Sequence, residues 1–187
     1  NGNIKLNLVL EFLINLKKMS NITQIFINEE NYTLSEELQN NSNKVKELYP
    51  DYNYKLFNDD LIKSFLGKYY ESYVLKAYKS LVPFSYKSDF ARLCILYQIG
   101  GWYFDIGLNL NKKFEASEST NLVFFRDLNY LAKVSWACAG GIIYSKPGNK
   151  ILSKAIELIV ENVKNKYYGL TPLCPTGPTL WGKAIAT

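Results

Sequence analysis

Histidine is absent from all 187 residues. That removes the serine–histidine triad, the cysteine–histidine dyad and the imidazole general base. Zinc sites built on histidine go with it, including the H-E-x-x-H type. Cysteine is sparse: Cys94, Cys138 and Cys174 stand far apart with no C-x-x-C spacing. Three scattered thiols make neither a four-thiolate zinc knot nor a secreted disulfide framework, and they fit a reducing compartment. Long apolar runs are also missing, since a bilayer span needs about 20 such residues. The nearest candidate, Ile4–Leu16, is interrupted by Lys5, Asn7, Glu11 and Asn15, and reads as an amphipathic helix. The single methionine, Met19, follows Lys17 and Lys18 just before a strand-like run. Residues 1–19 therefore read as an N-terminal helix or extension, and residues 20–187 as the domain proper.

What is present is globular. Hydrophobic residues make up 48% and charged residues 21%, outside the range of disordered chains. The length suits one domain. Twenty-two basic residues against 17 acidic ones give a net charge of +5, which favours anionic ligands such as nucleotide phosphates or a membrane surface. The basic residues are spread out, so no nucleic-acid partner is expected, while peripheral membrane contact stays open. The oligomeric state is not written in the sequence.

Strand and helix patterns alternate. Ile22–Ile27 reads as a first strand, and a polar helix opens at Ser35 and ends near Pro50. Tyr52–Phe57 alternates as a second strand, and Asn58 caps a helix over Leu61–Lys68. Further helices are expected over Ser72–Leu81 and Phe84–Ile99, the latter closed by Gly100 or Gly101. Trp102–Leu110, Leu122–Phe125 and Gly141–Tyr144 read as strands. Ile151–Val163 carries an apolar stripe at helical spacing, and Thr179–Ala186 restarts a helix after a Pro/Gly loop. Such alternation predicts an α/β class with a mostly parallel central sheet flanked by helices. The pair Gly140-Gly141 marks a close approach of backbone to a ligand or a neighbouring strand.

The chemistry concentrates in Ser85–Leu110, SYKSDFARLCILYQIGGWYFDIGLNL. Asp89 and Arg92 lie three residues apart on one helix face. A hydrophobic strand then runs to Asp105, and ligands of open α/β sheets bind beyond the carboxyl ends of strands. Taken singly, each feature has a plain explanation: a surface ion pair, a helix stop, a turn cap. Their order and spacing together are harder to assign to chance.

In that order they resemble the family 32 glycosyltransferases with the DXD sugar-binding motif. The match is S-D-x-x-R at Ser88, Asp89 and Arg92, an apolar helix, then G-G-x-Y-x-D at Gly100, Gly101, Tyr103 and Asp105. Thr23-Gln24-Ile25-Phe26, Pro50–Asp59 and Thr176-Gly177-Pro178 resemble further family segments in the same order. The resemblance implies a GT-A fold, a Rossmann-like nucleotide-sugar-binding domain. It implies transfer of a sugar from a nucleotide-sugar donor to a glycan acceptor with retention, of the kind that builds surface polysaccharide such as capsule. A cytoplasmic location follows, at the inner face of the membrane if anywhere on it. Under the resemblance Asp89 and Arg92 hold donor-sugar hydroxyls. Gln24 and Phe26 lie where the base packs, and Gly100, Gly101 and Tyr103 belong to the substrate-binding motif. Asp105 takes the catalytic role, meeting the ribose and a divalent cation, Mn²⁺ or Mg²⁺.

The sequence departs from the family at three places. Gly107 stands where the family has the second Asp of DXD, which removes a cation ligand. Asn109, on the face of Asp105 by strand alternation, reads either as a turn residue or as a replacement ligand through its side-chain carbonyl. Thr23 replaces a family histidine. The chain also stops soon after T-G-P, so the domain reads as incomplete at its C-terminus. An active transferase and a catalytically degenerate nucleotide-sugar-binding domain both remain open at this level.

Overall fold

The computed structural model describes residues 21–28, 33–127 and 134–187. The expected helix over Ile4–Leu16 lies outside them. Five strands form one sheet: β1 (Asn21–Ile25), β2 (Asn53–Phe57), β3 (Gly101–Phe104), β4 (Leu122–Arg126) and β5 (Cys138–Ser145). Their order is β2-β1-β3-β5-β4. β1 pairs in parallel with β2 and β3, whereas β5 runs antiparallel to both β3 and β4. The sheet is thus mixed rather than mostly parallel. Local alternation marks a strand but not its direction.

Six helices complete the described chain: α1 (Glu36–Leu48), α2 (Asp59–Tyr69), α3 (Ser72–Ser80), α4 (Phe84–Ile99), α5 (Lys150–Lys164) and α6 (Pro178–Ala186). Ser35 caps α1 and Asn58 caps α2 through their side chains, as their residue types favour. The period-2 alternation of the strands divides the core. Ile22, Trp102 and Phe104 face α1 and pack with Val45 and Tyr49. Ile25, Tyr103 and Ile143 face the other side, toward α2 to α6. α4 is the central helix of that layer. Phe90 to Leu96 is an unbroken run of buried residues, as expected of a helix with neighbours all round. It carries Arg92 beneath the carboxyl end of β3.

Gly100 and Gly101 make the change of direction from α4 into β3. Both have positive φ, 63° and 98°. A Cβ on Gly101 would collide with the Asn21 carbonyl oxygen. They sit at the amino end of β3, so the structure gives them a conformational task at the edge opposite Asp105. Gly148 also has positive φ, 70°, but open space around it. Gly101→Ala is therefore expected to cost about 2–4 kcal/mol in chemical denaturation, and Gly148→Ala only about 1 kcal/mol. Equal losses would contradict the collision as the cause.

Candidate functional site

The carboxyl ends of β1 and β3, the loop after β3 and the first turn of α4 enclose a cavity of about 410 Å³. Phe26, Ser85, Ser88, Arg92, Asp105 and Gly107 are among its lining residues. A larger recess of about 730 Å³ lies between α5, α6 and Trp136. It contains none of the motif residues, so chemistry favours the smaller cavity.

Arg92 organises the site. Its residue exposure is 6%, and burying a guanidinium is costly unless its N–H groups are met. All five N–H groups have polar neighbours. Nε donates to the Ser88 carbonyl at 3.2 Å, and Nη2 to Ser88 Oγ at 3.0 Å. Nη1 donates to the Gly140 carbonyl at 2.6 Å. Nη2 also faces Asp89 Oδ1 at 3.2 Å, and Nη1 faces Asp105 Oδ1 at 3.1 Å. The plane of the guanidinium is covered by aromatic rings, with Tyr103 at 4.5 Å and Trp181 at 5.6 Å from Cζ. Gly140 has no side chain because one would collide with the Trp181 ring. Burial works against the charge on Arg92, but Tyr103, Asp105 and Asp89 more than offset it and hold its pKa above the ordinary value.

The two carboxylates differ. Asp105 follows the last residue of β3, its N–H donates to the Gly141 carbonyl at 2.8 Å, and its side chain is 43% exposed. Tyr103 O–H donates to its Oδ1 at 2.6 Å. Burial, together with the adjacent Asp105, raises the Tyr103 pKa even though Arg92 opposes this, so Tyr103 serves as a fixed donor. Asp89 sits behind Arg92, under the T-G-P loop. Thr176 Oγ1 donates to its Oδ2 at 3.1 Å, and Gly177 lies so close that a Cβ there would come within 3.0 Å of the same oxygen. Burial pushes the Asp89 pKa up to about 6, with Asp105 adding to the rise while Arg92 and Thr176 counter it.

The structure brings Phe26, Arg92 and Asp105 to one cavity, with Asp89 and Tyr103 immediately behind them. It places other expected residues elsewhere. Gln24 is buried on the α1 side, where its Oε1 accepts from Tyr54 O–H at 2.9 Å. Gly100 and Gly101 lie at the far edge of the sheet. Asn109 is not on a strand, because β3 ends at Phe104 and Leu108 N–H closes a turn onto the Asp105 carbonyl at 3.0 Å. Its Oδ1 accepts from Lys44 Nζ at 2.7 Å. Ser88, Gly140 and Trp181 complete the Arg92 shell without having been assigned to it from sequence. The glycine pair gave a signal, whereas Trp181 gave none.

Residues 35–124, which contain this whole helix–turn–strand unit, match the family described as "Glycosyltransferase sugar-binding region containing DXD motif". That match supports a family 32-like glycosyltransferase assignment for this region. Its fold is similar to that of a solved structure, the PaToxG glycosyltransferase, with a TM-score of 0.71 at 21% identity. That similarity covers 95% of this chain and 75% of the other, and supports a GT-A-like fold. No curated protein matches the chain. Sugar-binding regions of the DXD type generally bind a divalent cation. Here Asp105 holds the first position of the motif and Gly107 the third. Asp105 Oδ1 is shared by Arg92 and Tyr103, Gly107 has no side-chain oxygen, and Asn109 is taken by Lys44. Among the described residues no three of His, Cys, Asp and Glu cluster as metal ligands. Among the described residues, the donor set of this sugar-binding region does not fit a divalent cation.

The raised pKa of Asp89 has a defined sign. Folding favours its protonated form, so its contribution to stability is full below its ordinary pKa and is lost as pH rises through about 6. Urea unfolding of the protein and of Asp89→Asn across this range should show the stability difference between them falling from about pH 4 to about pH 6, then levelling. A pH-independent difference would contradict the burial of Asp89 as described.

Proposed function

We propose that the chain binds a nucleotide sugar in the cavity beside Asp105 and transfers the sugar to a glycan acceptor with retention of configuration, in the synthesis of a surface polysaccharide. The observation that carries this reading is the pair of carboxylates fixed by one buried arginine at the carboxyl edge of the sheet. Asp105 is the carboxylate that meets the ligand, with one oxygen anchored and the other available. Arg92 is a positioning residue, since its N–H groups are spent within the protein. Asp89 braces Arg92 from behind and ties it, through Thr176, to the loop before α6.

The cavity also suits the diphosphate end of such a donor. α4 begins without a side-chain cap or an acidic residue in its first turn, and Phe84 and Ser85 of that turn line the cavity. Free N–H groups and the helix dipole favour an anion there. Phe26 supplies an apolar wall. Retention is what the family resemblance implies, and among the described residues Asp105 is the carboxylate that lines the cavity. A front-face route, in which the departing diphosphate itself takes the acceptor proton, needs no enzyme base. A double displacement of the kind seen in retaining glycosidases needs a second carboxyl group about 5 Å away across the sugar.

A second reading, donor binding without transfer, is favoured by Gly107. Donor hydrolysis and transfer, assayed with a panel of UDP- and GDP-sugars, separate the two. Under the first reading Asp105→Ala lowers turnover by about 10²-fold or more while circular dichroism still shows a folded protein, its unfolding midpoint lowered because Arg92 and Tyr103 each lose a partner. Unchanged turnover in a folded Asp105→Ala variant would refute the assignment. Nucleotide-sugar binding with no turnover of any donor by the parent protein would favour the second reading.

A further inference from the structure

Divalent cations of the class that accompany nucleotide diphosphates want hard oxygen ligands, carboxylates above all. The turn at residues 105–110, directly after β3, carries one carboxylate, the partly exposed Asp105, and half of it is committed. Oδ1 of Asp105 takes the Tyr103 O–H at 2.6 Å and lies 3.1 Å from Arg92 Nη1. The group of Asp89, Arg92 and Asp105 thus carries a single net negative charge when both carboxylates are ionised. Asn109, the other side-chain oxygen of that turn, accepts from the Lys44 ammonium at 2.7 Å. A bound ammonium both fills that acceptor and repels a second cation. Position 107 is open: a Cβ there meets nothing within 4 Å, and its backbone is not in the left-handed region.

We propose that this chain engages its nucleotide-sugar donor without a protein-held divalent cation, and that Gly107 is the residue that decides it. The proposal rests on the donor-site reading above. The uncapped first turn of α4, which lines the cavity, is what the chain itself offers to a diphosphate, since Arg92 is neutralised by its two carboxylates. The space at position 107 means the missing carboxylate is absent by residue type and not by crowding. An aspartate there would stand two residues beyond Asp105, in the spacing of the motif, with no neighbour at its Cβ.

The test uses Mn²⁺ alone as the first probe, read by the paramagnetic resonance signal of the free ion. The parent protein should leave that signal undiminished. Gly107→Asp should lower it, with an affinity at least about tenfold above the parent. Gly107→Ala, which adds the Cβ without an oxygen, should behave as the parent. The second probe is UDP and GDP, titrated by calorimetry in EDTA and again in MgCl₂. The parent should bind equally in both, whereas Gly107→Asp should bind more tightly with Mg²⁺ than without. A parent protein that depletes free Mn²⁺, or that loses nucleotide binding in EDTA, would overturn the proposal. A Gly107→Asp variant with the parent's unfolding midpoint but no hold on Mn²⁺ would overturn the assignment to Gly107. Failure of the parent to bind either nucleotide in both media would instead refute the donor-site reading beneath it, so the two failures are distinguishable.

Discussion

A guanidinium stays charged at every pH a folded protein meets, and moving it out of water costs several kcal/mol unless its N–H groups are met. Arg92 is in that position, and much of the structure around it is arranged to meet the demand. α4 supplies Ser88 and Asp89 one turn earlier on the same face. β3 supplies Tyr103 from beneath and Asp105 beyond its end. β5 supplies a carbonyl from Gly140, and α6 closes the remaining face with Trp181. Four elements, two of them (β5 and α6) distant in sequence from Arg92, therefore converge on one side chain. Removing Arg92 would leave two carboxylates without their shared countercharge.

This constraint also explains the division of labour. A residue whose donors are all engaged inside the protein cannot orient a ligand directly. It can fix what does. Asp105 is held by two donors on one oxygen and exposed on the other side, which is the condition for presenting a carboxylate in one geometry. The T-G-P loop extends the same network outward through Thr176, so the segment before α6 and the end of β3 are coupled through Asp89 and Arg92.

The helices were the most legible part of the sequence. α4 occupies Phe84–Ile99 in the structure, the span that its proline, apolar run and glycine stop indicate. The i,i+3 spacing also placed Asp89 beside Arg92. The end of β3 was not legible. Apolar alternation from Trp102 to Leu110 suggests one long strand, but the chain turns after Phe104 because Asp105 takes the Gly141 carbonyl and then closes a turn with Leu108. That turn moves Asn109 off the sheet and next to Lys44, a partner 65 residues earlier that no local pattern announces. Gln24 shows the same limit. A residue near a strand's carboxyl end can face either side, and here the Tyr54 hydroxyl holds it on the α1 side. Strand direction in the outer half of the sheet, and the insertion of Trp181 over Gly140, likewise depend on long-range packing.

The central claim is that one arginine, by using all its donors internally, fixes Asp105 as the carboxylate that receives a donor sugar. A crystal structure with a bound nucleotide sugar, chosen from the UDP- and GDP-linked donors that bind in calorimetry, tests it most directly. The account predicts a sugar in the cavity beside Phe26, a hydroxyl within hydrogen-bonding distance of the free oxygen of Asp105, and Arg92 still engaged with Ser88, Asp89, Asp105 and Gly140. A sugar bound away from Asp105, or an Arg92 side chain that leaves its partners to contact the ligand, would contradict it.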